Sequence, residues 1–157
     1  MSAESLARLQ ILEDRMEIQQ LAARFSDAVN ERDVAAFGGV WAEKDAVWEI
    51  GDPLPSRAEG RDAIVRMLEW LFTIEHYLMQ MTHAGVITLD GDRATARFAI
   101  RERGRGRGSD SFYDNLAVYD DALVREPEGW RFLRRSYSYR FLDQERFTGV
   151  AFPVQDH

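Results

Sequence analysis

Three histidines, no cysteine and a scatter of carboxylates narrow the chemistry open to this chain. Without a thiol there is no cysteine nucleophile, disulfide or thiolate metal site, and His76, His83 and His157 are too few for a histidine-built metal centre. Proton transfer remains, and His83 is its first candidate, because an imidazole takes and returns a proton near neutral pH. It lies in the run Gln80 to Leu89, which leads into Asp90-Gly91-Asp92 and a second run from Arg93. The glycine suits the positive φ of a tight hairpin, and the flanking runs alternate as half-buried strands do. On an uninterrupted strand Met79, Met81, His83, Gly85, Ile87 and Leu89 share one face. His83 is therefore expected inside with the apolar set, as a catalyst or as a satisfied core histidine.

A catalytic histidine needs a partner, and Asp121 is the leading one, with Tyr119 on the same face of its strand. Asp121 is either the base itself, oriented by His83, or a solvated strand residue beside Asp120. Tyr119 donates to a substrate carbonyl or lines a wall. Glu102 shares a face with Ala94, Ala96, Phe98 and Ile100 and points to a cavity mouth or an exposed strand end. Trp48, Met81 and Phe98 are expected as apolar lining, with Asn30 beside them. One of Arg134 and Arg135 is a candidate partner for a buried acid.

The elements that must position these residues follow from periodicity. Ile18, Leu21, Ala22, Phe25 and Val29 recur at helical spacing within residues 5–30, which places Asn30 at the edge of the buried stripe and Asp27 opposite it. A short helix capped by Asp33 directs Val34, Phe37 and Trp41 inward. A strand over 46–50, a proline-bearing loop over 51–59 and a helix from Arg61 to about Ile74 follow. Four long strand candidates then run over 78–89, 93–103, 111–125 and 130–141. Helices first and a meander afterwards make an α+β layout, with one curved antiparallel sheet wrapped on the amino-terminal helices to enclose a conical cavity. All 157 residues are expected to form one domain, its core about 12–142 and its tail 143–157, where Phe147, Val150, Phe152 and Val154 suggest a flap or an arm.

A net charge of −7 argues against nucleic acid as a partner. The Arg101 to Gly108 segment reads as a strand connection with solvated arginines rather than an RNA-binding tract. No apolar run reaches the roughly 18 residues of a membrane span, and the amino terminus shows no secretory pattern, so a cytoplasmic protein is expected. Leu133, Tyr137, Tyr139 and Phe141 alternate with Trp130 and Phe132, so both sheet faces carry apolar residues and a homodimer through the outer face is expected.

Several motifs in this order resemble the SnoaL-like branch of the nuclear transport factor 2-like superfamily: Glu17-Ile18 and Leu21 before Phe25; Asp33 and Trp41; Gly60-Arg61-Asp62-Ala63-Ile64; Gln80-x-x-His83-x-Gly85; Asp90-Gly91-Asp92-x-Ala94; Tyr119-x-Asp121; and Gly129-Trp130-Arg131-Phe132. The resemblance implies a cone-shaped α+β fold and a cavity for a hydrophobic small-molecule ligand. Its members include polyketide cyclases, scytalone-dehydratase-like and dehydrochlorinase-like lyases, ketosteroid isomerases and proteins that only bind. The implied function is a cofactor-independent lyase, isomerase or cyclase working on a carbonyl-type molecule through His83, Asp121 and Tyr119; the alternative is a non-catalytic binding or accessory module. In the dehydratase and dehydrochlorinase relatives an Asp near the end of the first helix pairs with a His on the strand after the third. Here Asn30 takes the helix position, and counting back from the hairpin puts the histidine position nearer Met79 or Gln80 than His83.

Overall fold

The computed structural model describes residues 2–154, the side chain of Ser111 apart. Ser2 caps the first helix by accepting from the Ser5 amide, and α1 (Ala3–Asn30) turns Ile18, Leu21, Ala22, Phe25 and Val29 inward while Asp27 stays exposed. Asp33 caps α2 (Val34–Gly39), accepting from the Ala36 amide, and drives Phe37 and Trp41 into the core. A third helix, α3 (Arg61–Ile74), buries Ile64, Leu68 and Phe72.

The strands are β1 (Val47–Ile50), β2 (Ser56–Glu59), β3 (Glu75–Thr82), β4 (Val86–Asp90), β5 (Arg93–Gly106), β6 (Ser111–Glu126) and β7 (Gly129–Arg146). They form one curved, open sheet in the order β2-β1-β7-β6-β5-β3, with β4 also on β5. This is the α+β architecture expected, with one difference: the sheet is mixed, because β1 pairs parallel to β7 while its hairpin partner β2 closes the edge. β2 occupies residues that the prolines suggest are loop. β7 continues to Arg146, five residues past the expected end, and Phe147 folds back so that its ring meets Phe112 at 6.0 Å and Arg105 at 4.7 Å. Residues 155–157 of the expected tail lie outside the described residues. Arg101 and Arg103 pair with Asp114 across the β5–β6 hairpin, so the Arg/Gly segment is mostly strand.

Among the breaks in register of this sheet, two decide the facing of His83, Gln80, Tyr137 and Tyr139. The first separates β3 from β4. Thr82 lies opposite Ile100 and Val86 opposite Arg97, so three residues, His83 to Gly85, span the place of two. One extra residue reverses the facing of everything before it. Gln80 is buried, and Met79, Met81 and His83 are exposed, whereas Ile87 on the far side of the break points in. The inward placement of His83 and Met81 is thus corrected. Gln19 holds the break by accepting from the Gly85 amide at 3.1 Å and donating to its carbonyl at 3.0 Å. A Cβ on Gly85 would lie 2.4 Å from the Phe98 ring, so only glycine fits.

The second break is on β7, where Leu123 pairs with Phe132 and Ala122 with Arg134. The uneven count turns Arg135, Tyr137 and Tyr139 inward, so both tyrosines leave the outer face assigned to them. Of the four residues behind the dimer expectation, only Phe141 is exposed, and Leu133 is half-buried against the core.

The inward face of this region is an aromatic box. Arg135, with no exposed surface, lies with its guanidinium carbon 3.8 Å from the ring centre of Tyr119, 4.0 Å from Phe132 and 4.3 Å from Phe25. Its Nε and Nη2 donate to Asp121 Oδ1 and Oδ2 at 2.9 and 3.1 Å. Burial raises the Asp121 carboxyl above its ordinary range, and the charge and hydrogen bonds of Arg135 oppose that rise. Removing one member strands the other charge in the core. Asp121→Ala is expected to cost about 3–5 kcal/mol in chemical denaturation, and replacing the pair together by Leu and Met to recover most of it.

Asn30 covers the open edge of β3. Its Nδ2 donates to the Gln80 carbonyl at 2.9 Å and its Oδ1 accepts from the Gln80 amide at 2.7 Å. An aspartate accepts but cannot donate. Asn30→Asp is expected to lower stability by about 1–3 kcal/mol in urea melts, whatever it does elsewhere.

Candidate active site

A cavity of about 450 Å³ opens between α3, the β1–β2 hairpin and the concave face of the sheet. Val29, Ile50, Leu68, Leu71 and Leu78 give it apolar walls, and Trp70, Ile74, Leu54 and Leu142 surround its mouth. Its polar groups come chiefly from four adjacent strands: Glu75 and Gln80 of β3, Glu102 of β5, Tyr113, Asn115 and Tyr119 of β6, and Tyr137 and Tyr139 of β7.

These residues form a connected group. Gln80 Nε2 donates to Glu102 Oε2 at 2.8 Å, and Gln80 Oε1 accepts from Ser26 of α1 at 2.9 Å. Asn115 Nδ2 donates to Glu102 Oε1 at 3.4 Å and to the Tyr137 hydroxyl at 3.5 Å. Trp48 Nε1 donates to the Tyr119 hydroxyl at 3.3 Å, which leaves the Tyr119 proton to be given elsewhere. The rings of Tyr119, Tyr137 and Tyr139 meet edge to face, 5.1 and 5.0 Å apart. Tyr113 reaches the cavity because its cross-strand neighbour is Gly104, where a Cβ would come within 2.3 Å of its hydroxyl.

The electrostatics set two carboxyl groups apart from ordinary surface acids. Burial, reinforced by the neighbouring Glu102, pushes Glu75 up to about 7; a hydrogen bond from Tyr113 and the charge of Arg32 oppose it. Glu75 Oε2 is buried and has no hydrogen-bond partner within the protein. Burial likewise raises Glu102, against the hydrogen bonds of Gln80 and Asn115. Burial and the same acids raise the tyrosines, Tyr139 to about 12, so all four hydroxyls hold their protons at neutral pH. A carboxyl that titrates near 7 inside an apolar cavity is suited to general acid–base work.

Of the residues expected at a site, Glu102, Tyr119 and Trp48 line this cavity. His83 is exposed beyond the end of β3, and its main-chain amide donates to the Ala99 carbonyl. Asp121 is buried against Arg135, Phe98 is buried among core residues, Met81 is exposed, and Asn30 holds the backbone of β3. The structure therefore does not bring His83, Asp121 and Tyr119 together. Glu75, Tyr113, Asn115, Tyr137 and Tyr139 were not foreseen, and Gln80 only as a position that competes with His83. Glycine at 104 directly opposite a tyrosine was a usable signal once the β5–β6 hairpin is paired. Among the described residues no group of three His, Cys, Asp or Glu side chains is placed to hold a metal ion. No helix among them is long and apolar enough to cross a membrane.

Because Glu75 binds its proton more tightly in the fold than at its usual 4.5, the folded state keeps a proton between about 4.5 and 7 that the unfolded chain has released. Stability contributed through this group falls as pH rises across that window and levels off above it. Glu75→Gln is expected to raise the melting temperature at pH 8 more than at pH 5, as thermal melts at the two values would show.

The fold has many relatives among solved structures. The chain superposes on a hexachlorocyclohexane dehydrochlorinase, LinA type 2, with a TM-score of 0.84 at 18% identity over 93% of this chain and 98% of that one. A protein of Novosphingobium aromaticivorans to which aromatic ring hydroxylation has been ascribed gives 0.78 at 24% identity, covering 85% and 94%. An NTF2-like protein with a cystatin-like fold from the same organism gives 0.67 at 27%, covering 88% and 90%. No curated protein sequence matches the chain. The model of the SnoaL-like domain matches residues 10–136, and by that match and this architecture the chain belongs to the SnoaL-like branch of the nuclear transport factor 2-like superfamily.

Proposed function

We propose that the chain is a lyase or isomerase that moves a proton on a hydrophobic, carbonyl-type small molecule held in the cavity, with Glu75 as the proton-transfer residue. The observation that carries this reading is a carboxyl group raised to about 7, one of its oxygens buried without a partner, in an apolar cavity that also holds tyrosine protons. Glu75 Oε2 takes the proton from the carbon beside the carbonyl. The C–H electron pair becomes the new C=C bond, and the charge that develops on the carbonyl oxygen is met by a hydroxyl proton, for which Tyr119 is placed by its hydrogen bond from Trp48. Return of the proton to a different carbon completes an isomerisation; departure of a leaving group from the β carbon completes an elimination. The hexachlorocyclohexane dehydrochlorinase among the structural relatives supports the elimination branch alone, because the compound in its name has no carbonyl.

One observation favours a second reading, a binding module of the same fold. Gln80 faces the cavity and Asn30 is spent on its backbone, and neither side chain transfers protons near neutral pH.

Exchange of the α-hydrogens of 2-tetralone for deuterium, followed by NMR, separates the two. The protein is expected to accelerate exchange over buffer with a rate that rises with pH around a midpoint of about 7, where Glu75 ionises. Glu75→Gln should reduce the rate by roughly 10²- to 10⁴-fold, and His83→Gln should leave it unchanged. Exchange no faster with the wild type than with Glu75→Gln would leave the binding module.

A further inference from the structure

The deep end of the cavity has an excess of acceptors. Glu102 receives only the amide hydrogens of Gln80 and Asn115, neither of them charged. Asn115, 2% exposed, keeps a buried Oδ1 with no hydrogen-bond partner within the protein. The Trp48 N–H is spent on Tyr119. Among the described residues no arginine, lysine or histidine lines the cavity. Arg32 acts on Glu75 from behind the wall, its guanidinium donating to the main-chain carbonyls of Phe72 and Glu75 and lying 4.8 Å from the Phe72 ring. An anionic ligand would meet two carboxyl groups and no cation. Two carboxylates without a third ligand are also too few for an all-protein cage around a divalent ion.

We infer that the deep end is an ammonium site, so that the carbonyl-type ligand of this cavity is also a hydrophobic amine, whose charged nitrogen sits between Glu102 and Asn115 Oδ1 among the rings of Tyr119 and Tyr137. The inference rests on the reading of this cavity as the functional site and names its ligand class. An ammonium is a donor without acceptor capacity, which is what a free amide oxygen and a carboxylate require. Its charge is the complement that the lining lacks, and a tyrosine ring attracts a desolvated cation at its face. The apolar walls toward the mouth take the hydrocarbon part. Glu75, nearer the α3 end, remains available for proton transfer.

Titration calorimetry with 4-phenylbutylamine, 4-phenylbutan-1-ol and 4-phenylbutanoate tests it, since the three share a hydrocarbon and differ in the polar end. The amine is expected to bind at least about tenfold more tightly than the alcohol, and the carboxylate not at all. Glu102→Gln should weaken the amine by about 10- to 100-fold, the usual worth of a hydrogen bond to a charged group, and leave the alcohol unchanged. Asn115→Leu, which deletes the free acceptor, should also narrow the gap between amine and alcohol, and provides the test should Glu102→Gln fail to fold. An alcohol that binds as well as the amine, a carboxylate that binds, an amine indifferent to both substitutions, or binding of none of the three would overturn the inference. Preference for the alcohol with tetralone exchange intact would remove the ammonium site and keep the enzyme; amine binding without exchange would do the reverse.

Discussion

The ion pair of Asp121 with Arg135 lies directly across the β6–β7 ladder, and the placement of the cavity residues depends on it. A buried pair of this kind adds little net stability, because desolvating two charges offsets their attraction. What it supplies is register. Slipping β7 by one residue would turn one of the two charges outward and leave the other unpaired among Phe25, Phe132 and Tyr119, a state far costlier than the pair itself. With that register held, Tyr119 and Tyr137 stand next to each other one step nearer the mouth, and Asn115 and Tyr139 follow on the same faces. The structural salt bridge and the polar group of the cavity are successive layers of the same two strands.

The helices contribute by closing what the sheet leaves open. Asn30 and Gln19 of α1 each satisfy both main-chain groups of a single residue, Gln80 and Gly85, at the two places where the strand following α3 lacks a neighbour. At the other end of the buried stripe of α1, in mid-helix, Asp14 accepts from Arg125 and the Trp130 indole, and Glu17 accepts from the Trp130 amide, which ties the helix to the β6–β7 turn. The helix is therefore held against the sheet by polar contacts at both ends of its buried stripe, and the space left beyond Val29 becomes the cavity. The wall residues exclude water from Glu75 and Glu102, and that exclusion is what raises both carboxyl groups above their usual values.

Helical spacing, the Asp33 cap, the Asp90-Gly91 hairpin and the alternation of β5 are local properties legible in the chain alone: Phe25, Phe37 and Trp41 point inward because period and cap determine them, whereas Glu102 stayed open between a cavity mouth and an exposed strand end. A buried acid as the partner of one of Arg134 and Arg135 was one of two readings open in the chain, the other being surface charge, and Arg135 takes it. The facing of His83, Gln80, Tyr137 and Tyr139 was not legible. Alternation carries a side chain's direction only as far as the next bulge, and one extra residue at His83 to Gly85 or near Leu133 reverses all that precedes or follows it. Such a residue is accommodated by distant partners, Gln19 and the Phe98 ring at one break, that no local pattern announces. The amino-acid sequence by itself determined the order of elements and their apolar faces; only the tertiary structure decided which polar side chains meet, because that depends on register between strands far apart in the chain.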